Sequence, residues 1–569
     1  MRRKIGCFAL AVLLSWAICL QFEISAASAV FFACFALIYP VLGRVAPGEG
    51  RYLPLAAFFG FARVLGRSFD RHDSWVEVAK DLPTALRALA AMAALSLLAF
   101  SAMVLVHRAL QEARRSVPMA AGEGRRLFVQ TALILFAGSL PYLLLYWPGL
   151  NIADTRDQLL QFYGYPSVLG DGSALTDHHP ALTTFLYAGS IGLGRMLGSA
   201  NLGQALYSLG SLLAVSLSMA HLLTTLRGLG LSAGCCRGIA ALFALWPVPA
   251  LYAFNMCKDV SVAPVLLLYC AELLRLFARG GSRGRFLRLF ALLLALMFLR
   301  KTAVYAALFA LPVFLWLARR GRRGMAMATG AALLAFALGT LGLRLSGVRP
   351  GEGREMFSVP LQMVARTLAA GQELTPQERA DLSRVMDLSR AGADYLPRLA
   401  DPVKDRTNPE AGAADWLAFL RGWARLGLRD PGAYLAAWMN QAYGFFYPSP
   451  GDTIVCLTLN SPEQPGLVLS QNPALAPARL ELHNVIYFRL RQIPALGALF
   501  YVDFLVWAFL FLLVHLGTRR AAAPWGFFLG TLLLALLSPK SGEVRYVLPL
   551  LYALPAMLGL ALIDPEDAS

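Results

Sequence analysis

Runs of about 20 apolar residues, the length needed to cross the roughly 30 Å hydrocarbon core of a bilayer, recur along almost the whole 569-residue chain. Short Arg-rich loops separate them. Only 15% of the residues are charged, against about 25% in soluble domains, so a water-soluble fold of this size is excluded and the bilayer is the main solvent. The expected fold class is an all-α polytopic membrane protein.

About fourteen transmembrane helices are expected, at residues 5–22, 28–45, 52–68, 86–107, 127–147, 203–226, 237–254, 260–278, 286–299, 302–318, 325–345, 496–516, 524–537 and 546–562. The segments at 52, 286 and 524 are the weakest, being short or carrying Arg63. Basic loops face the cytoplasm. The clusters Arg2, Arg3, Lys4; Arg108, Arg114, Arg115, Arg125, Arg126; Arg275, Arg279, Arg283, Arg285; Arg319, Arg320, Arg322, Arg323; and Arg519, Arg520 all fall on one side in a fourteen-span arrangement, with both termini inside. The same loops account for the net charge of +17, and no nucleic-acid motif accompanies them. No nucleic-acid partner is expected.

The basic start, the apolar run 5–20 and the small residues Ser25 to Ala29 also fit a cleavable signal peptide. A retained first span is preferred because another apolar run follows at once. The eight cysteines form no metal or disulfide pattern: Cys7, Cys19, Cys34 and Cys270 lie inside apolar runs, and Cys235 and Cys236 are adjacent.

Four regions follow: an N-terminal four-helix transmembrane extension (1–126), a transmembrane core (127–345) with an external loop at 148–202, an external, mainly helical loop domain (346–494), and C-terminal transmembrane helices (495–569). Within the first loop, 181–198 is apolar, but Gly189, Gly192, Gly194, Gly198 and Arg195 suit an interfacial or re-entrant helix. In the long external stretch, Thr375-Pro376-Gln377-Glu378 reads as a capping box opening a helix toward Ser389. A second helix is expected over 415–426. The aromatic run 434–446 is expected on the membrane surface.

Sorted by side, the polar residues that interrupt apolar sequence gather on the external face. They are Asp154, Asp157, Asp177, His178, His179, Asn255, Lys258, Asp259, Arg300, Lys301, Lys540, Glu543 and Arg545. Ionisable groups at a membrane edge are costly unless paired or wet, so their concentration in one plane points to a cleft. Lys and Arg there suit phosphate oxygens, and an Asp suits removal of a proton from a hydroxyl. Each residue also has a plainer reading: Asp154 and Asp157 as helix caps, His178 and His179 as turn residues before Pro180, and the Lys, Asp, Glu and Arg groups as salt bridges at a short loop. A divalent cation is possible at the histidines, and none is firmly implied.

At these residues the chain resembles the GT-C superfamily of polytopic glycosyltransferases, which use polyprenyl-phosphate-linked sugars. The resemblance rests on the acidic loop Asp154 to Asp157, on His179-Pro180 before an interfacial helix, and on the late Glu543-Val544-Arg545-Tyr546 followed by Leu548-Pro549. Within the superfamily it is most similar to an uncharacterised bacterial family, through Asp154-Thr155, His178-His179-Pro180, Lys258-Asp259, residues 357–362 (FSVPLQ) and Asp401-Pro402-Val403-Lys404. It covers residues 127–560, leaving the first four spans outside.

The resemblance implies transfer of a sugar from a polyprenyl-phosphate donor to a cell-envelope glycan, lipid or protein acceptor, by inverting displacement on the extracytoplasmic face of the bacterial cytoplasmic membrane. Asp154 matches the base, with Asp157, His178 and His179 beside it. Lys258, Asp259, Arg300, Lys301, Lys540, Glu543, Arg545 and Tyr546 match the substrate side. In many members the loop carries a paired acidic dipeptide; here Thr155 and Arg156 separate the carboxylates. A lipid-linked glycan flippase or other transporter is the alternative, and a non-catalytic scaffold a third reading.

Overall fold

The computed structural model describes the whole chain except residues 1, 22, 26, 43, 44, 47, 318–320, 352, 494, 518–524 and 565–569. The expected basic pairs Arg319, Arg320 and Arg519, Arg520 lie outside the described residues. The described residues are mostly helical, with four two-residue strands. In chain order the main helices are α1 (Arg2–Gln21), α2 (Ala29–Leu42), α3 (Leu53–His72), α4 (Leu82–Ala113), α5 (Glu123–Leu145), α6 (Ala153–Phe162), α7 (Ala181–Met196), α8 (Ala200–Arg227) and α9 (Ala233–Leu245). They continue with α10 (Lys258–Arg279), α11 (Arg283–Leu299), α12 (Thr302–Leu317) and α13 (Arg322–Leu345). After the external stretch come α18 (Val502–Leu516), α19 (Gly526–Ala535) and α20 (Val544–Ala561), with α14 (Ser358–Ala369), α15 (Pro376–Leu382), α16 (Ala413–Arg429) and α17 (Pro431–Ala442) between.

Six of these helices, α4, α5, α8, α10, α13 and α20, are long and apolar enough to cross a membrane. Another six apolar helices, α1, α2, α9, α12, α18 and α19, are shorter. Helix α3 and helix α11 carry too much charge to join either group. Side-chain caps start several helices: Asp81 accepts from the Thr84 amide, Ser199 from Leu202, Ser232 from Cys235 and Ser282 from Arg285.

The core runs along α20. This helix buries 78% of its apolar window inside the protein, whereas α13 buries only 17% and presents the rest outward. Around α20 pack α8, α10, α18 and α19. Contacts between helix ends define two poles. At one, Arg227 at the end of α8 binds Glu123 at the start of α5, and Arg114 beyond α4 reaches the Ala561 carbonyl at the end of α20. At the other lie the start of α8, α10, α12 and α20. The 28 residues of α8 alone separate the poles by about 42 Å at 1.5 Å per residue.

Helix α7 lies against α8 at an approach only glycine permits. A Cβ on Gly194 would collide with the Gly203 backbone, and one on Gly203 would stand 2.5 Å from the Ile191 Cα. Gly189 faces open space. Gly194→Val is therefore expected to destabilise the fold by about 1–3 kcal/mol through overpacking, read as a lower melting temperature of the detergent-solubilised protein, with Gly189→Ala close to neutral.

The external stretch holds a small core of its own around Leu361, Val364, Leu382, Val385, Phe419 and Leu426. The Thr375–Glu378 capping box forms, but α15 stops at Leu382 rather than Ser389, because Met386 pairs with Thr407 and the Val385 carbonyl accepts from the Asn408 amide. The second expected helix is α16. The aromatic run 434–446 does not lie on the surface: Tyr434, Tyr443 and Phe445 are buried, and Tyr443 packs with Phe69 of α3. Enough apolar area faces inward there to outweigh the interfacial preference of the rings.

Candidate functional site

Strand β1 (Leu150–Asn151) pairs in parallel with β3 (Asn255–Met256), Leu150 opposite Asn255 and Asn151 opposite Met256. The Thr155 hydroxyl adds a 2.6 Å bond to the Met256 carbonyl. This register sets the first turn of α6 beside the turn that opens α10. Asp154 and Lys258 consequently meet, Nζ to Oδ2, at 2.8 Å.

His179 completes this corner, its Nδ1 2.8 Å from Lys258 Nζ. Strand β2 (Thr176–Asp177) delivers it by pairing with β4 (Arg349–Pro350), and Gly351 is needed there because a Cβ would stand 2.8 Å from the His178 Cα. From the far end of the chain, Arg545 at the start of α20 reaches Asp154 Oδ2 at 3.5 Å and Glu543 Oε1 at 3.2 Å. Lys540 then donates to Glu543 at 2.6 Å and to the Thr453 hydroxyl at 3.0 Å. Lys540, Glu543, Arg545, Asp154, Lys258 and His179 thus form one continuous chain of contacts.

Burial pushes the His179 imidazole well below its usual range, and the neighbouring Lys258 charge adds to this. It is therefore neutral, and with Lys258 donating to Nδ1 the remaining proton is assigned to Nε2. Burial alone would raise the Asp154 carboxyl, but the charges of Lys258 and Arg545 outweigh it and hold the group well below the ordinary carboxylate range. Its side chain keeps 30% of its surface accessible, so it sits in a recess with an open mouth. Three cations, two carboxylates and a neutral imidazole leave one positive charge unmatched within the chain of contacts.

The other expected site residues stand around this line. Asp157 is buried against Arg156, at 2.9 Å, and burial pushes its carboxyl up; it makes no bond to Lys258 or Arg545. His178 stacks edge-on against His179. Lys301 binds Asp177 at 2.8 Å, while Asp177 Oδ1 accepts from the Ala181 amide at the start of α7. Arg300 is 8% exposed and turned inward: it pairs with Asp259 at 3.1 Å and donates to the carbonyls of Arg545 and Tyr546. Arg300 and Asp259 thereby position α20 and do not open onto the recess. Tyr546 is half-buried beside them. Neither Asp154 nor Asp157 caps α6, whose N-cap is Ile152. Among the described residues, no group of three or more His, Cys, Asp and Glu side chains is placed to hold a metal ion.

Sequence reasoning missed the seam of the site. The run Thr453–Asn460 stitches three loops together: Thr453 pairs with Glu543, Asn255 Nδ2 donates to the Cys456 carbonyl, and Asn151 bonds to Thr458 and Asn460. Gln362 holds the carbonyls of Leu396 and Leu399 at 2.8 Å each, and Leu399 pairs with Lys540. Gln362 is therefore linked to Lys540 through the Leu399 backbone, while Lys404 pairs with Glu355 and Asp401. Isolated polar residues in a Pro-rich stretch carry no periodic signal that could have revealed this.

Asp452, next to Thr453, is buried with Arg491 at 2.6 Å and the Val502 amide at 2.9 Å. Burial outweighs these partners and pushes its carboxyl up to about 7. Its folded value exceeds the unfolded value of about 3.9, so its contribution to stability is complete below that pH and is lost as pH rises through about 7. Asp452→Asn is expected to remove this component, leaving a melting temperature that varies less between about pH 4 and 7.

Fold and site define an all-helical protein with membrane-length helices and a charged recess at one pole. The chain belongs to DUF6020, a family of unknown function, whose model matches residues 166–566. That match takes in His179, Lys258, Lys540, Glu543 and Arg545, and begins beyond Asp154 and Asp157. No curated protein and no solved structure matches the chain.

Proposed function

We propose that the protein is a fourteen-span glycosyltransferase of the bacterial cytoplasmic membrane that moves a sugar from a polyprenyl-phosphate donor to a cell-envelope acceptor on the extracytoplasmic side. The observation that carries this reading is the line of contacts from Lys540 to His179. It offers an unmatched positive charge for a phosphate and an ionised Asp154 for a proton, at the ends of helices of membrane length. Sidedness is supported by Arg108, Arg114, Arg227, Arg275 and Arg285, which gather at the opposite pole, as basic loops do on a cytoplasmic face.

In the proposed step an acceptor hydroxyl attacks the anomeric carbon from the face opposite the phosphate. The new C–O bond forms as the bond to the phosphate oxygen breaks, and the electron pair leaves with polyprenyl phosphate. Asp154 takes the hydroxyl proton. The donor phosphate competes with Asp154 for Lys258 and Arg545, and this competition raises the basicity of a carboxylate otherwise too strongly ion-paired to act as a base. Lys540 and Arg545 neutralise the leaving phosphate.

A flippase is the second reading, favoured by a cavity of about 420 Å³ between α3 and α18 lined by Phe59, Arg63, Arg491, Asp503 and Trp507. Purified protein reconstituted into vesicles with a panel of polyprenyl-phosphate sugars and a cell-envelope fraction as acceptor separates the two. Release of free polyprenyl phosphate supports transfer; transbilayer movement of intact donor, or no release from any donor, sinks it.

A further inference from the structure

The pole opposite the recess carries a second polar cluster that sugar transfer does not use. Arg51 donates through Nη2 to the Tyr52 hydroxyl at 3.1 Å and faces His107 Nδ1 at 3.4 Å. His107 Nδ1 stands 3.1 Å from His515 Nδ1, and Arg114 Nη2 lies 3.2 Å from His515 Nε2. The turn before α3, the end of α4 and helix α18 thus bring two guanidinium groups to the two ends of one hydrogen-bonded run. Both imidazoles and Tyr52 are buried, whereas Arg51 is exposed and Arg114 half-buried.

In a consistent proton assignment His515 accepts from Arg114 at Nε2 and carries its proton on Nδ1, shared between His107 Nδ1 at 3.1 Å and the Tyr52 oxygen at 3.2 Å, while Arg51 donates to the Tyr52 hydroxyl. Both imidazoles are then neutral, and the two arginines bring two full charges. Among the described residues, the carboxylate of Glu49 near this run is already consumed by Arg108 at 2.7 Å and 2.9 Å and by the Ala46 amide. Among the described residues neither Arg51 nor Arg114 pairs with a carboxylate; Arg114 Nε donates only to the Ala561 carbonyl. Two unmatched guanidiniums at the end of a helix bundle favour an anion, and a phosphoryl group has the charge and the fork-matching oxygens. Leu53 and Val106, next in sequence to Tyr52 and His107, are 50% and 48% exposed. Apolar side chains therefore border the cations, as a lipid bearing the phosphoryl group would require.

We infer that Arg51, His107, Arg114 and His515 form a binding site for a phosphoryl headgroup, carried by an anionic lipid of the leaflet opposite the sugar-transfer recess. It is independent of the sugar-transfer reading. The test is native mass spectrometry of the full chain in detergent micelles doped with dioleoyl phosphatidic acid, dioleoyl phosphatidylcholine or inorganic phosphate. One phosphatidic acid should be retained in preference to phosphatidylcholine. Arg51→Gln, a change at an exposed residue without an ion pair, should weaken retention about tenfold, and Arg51→Gln with Arg114→Gln should abolish it. Arg125→Gln at the same pole should leave it unchanged. Displacement by millimolar inorganic phosphate would assign the same cluster to a soluble phosphate; no displacement assigns it to the lipid. Equal retention of both lipids, or retention unchanged in both variants, overturns the site.

Discussion

Asp154→Asn is expected to cut sugar transfer by about 10²- to 10⁴-fold, the range associated with loss of a general base, while the helices still assemble. Asparagine keeps the shape of the side chain and removes only its capacity to take a proton. Asp157→Asn is the matched control: its carboxyl is spent on Arg156 outside the line of contacts, so a loss below about tenfold is expected. The pH profiles carry a second signature. In the free protein Lys258 and Arg545 outweigh burial and hold Asp154 well below the ordinary range, so kcat/KM should not fall through protonation of this group as pH drops from neutral toward about 5. Once the donor phosphate has drawn off Lys258 and Arg545, the same carboxyl titrates higher, and kcat should show an acidic limb that kcat/KM lacks. Transfer that survives in Asp154→Asn, with Asp157→Asn inactive, would move the base to the other carboxylate.

Arg545→Gln is expected to lower both stability and transfer. Its Nε holds Glu543, which is 1% exposed, and its Nη1 reaches Asp154, so one guanidinium spans two carboxylates. Glu543 keeps Lys540 and Asp154 keeps Lys258, so the loss is that of hydrogen bonds to charged groups, about 1.5–3 kcal/mol, which should appear as a drop in melting temperature. Transfer should fall at least about 10²-fold, because a charge at the leaving phosphate is lost as well. Arg545→Lys should recover part of the stability and little of the transfer, since a single ammonium does not reproduce the two-point fork. A melting temperature and transfer rate that both stay at the wild-type level in Arg545→Gln would remove this arginine from the site.

The parts of the molecule legible in the sequence are those with local causes. Apolar runs marked the helices, and Thr375 with Glu378 marked the start of α15, because helix formation and capping depend on residues within a turn or two. Asp154, His179, Lys258, Glu543 and Arg545 were also foreseen to meet, since ionisable residues at the ends of apolar runs have few places to go other than a shared polar recess. Arg300 shows where that reasoning stops. Its composition and position match those of Arg545, yet it faces inward to Asp259 and the start of α20.

What the sequence by itself determined is the solvent of this protein, its helical class and the short list of charged residues that can do chemistry at one edge. Only the tertiary structure decided which of them touch, because the contacts join residues up to several hundred positions apart, such as Asp154 with Arg545 and Tyr52 with His515. At the recess, the register of Asn151 against Met256 and the seam from Thr453 to Asn460 set the distances. Backbone pairing of this kind involves groups that every residue possesses, so no side-chain pattern announces it.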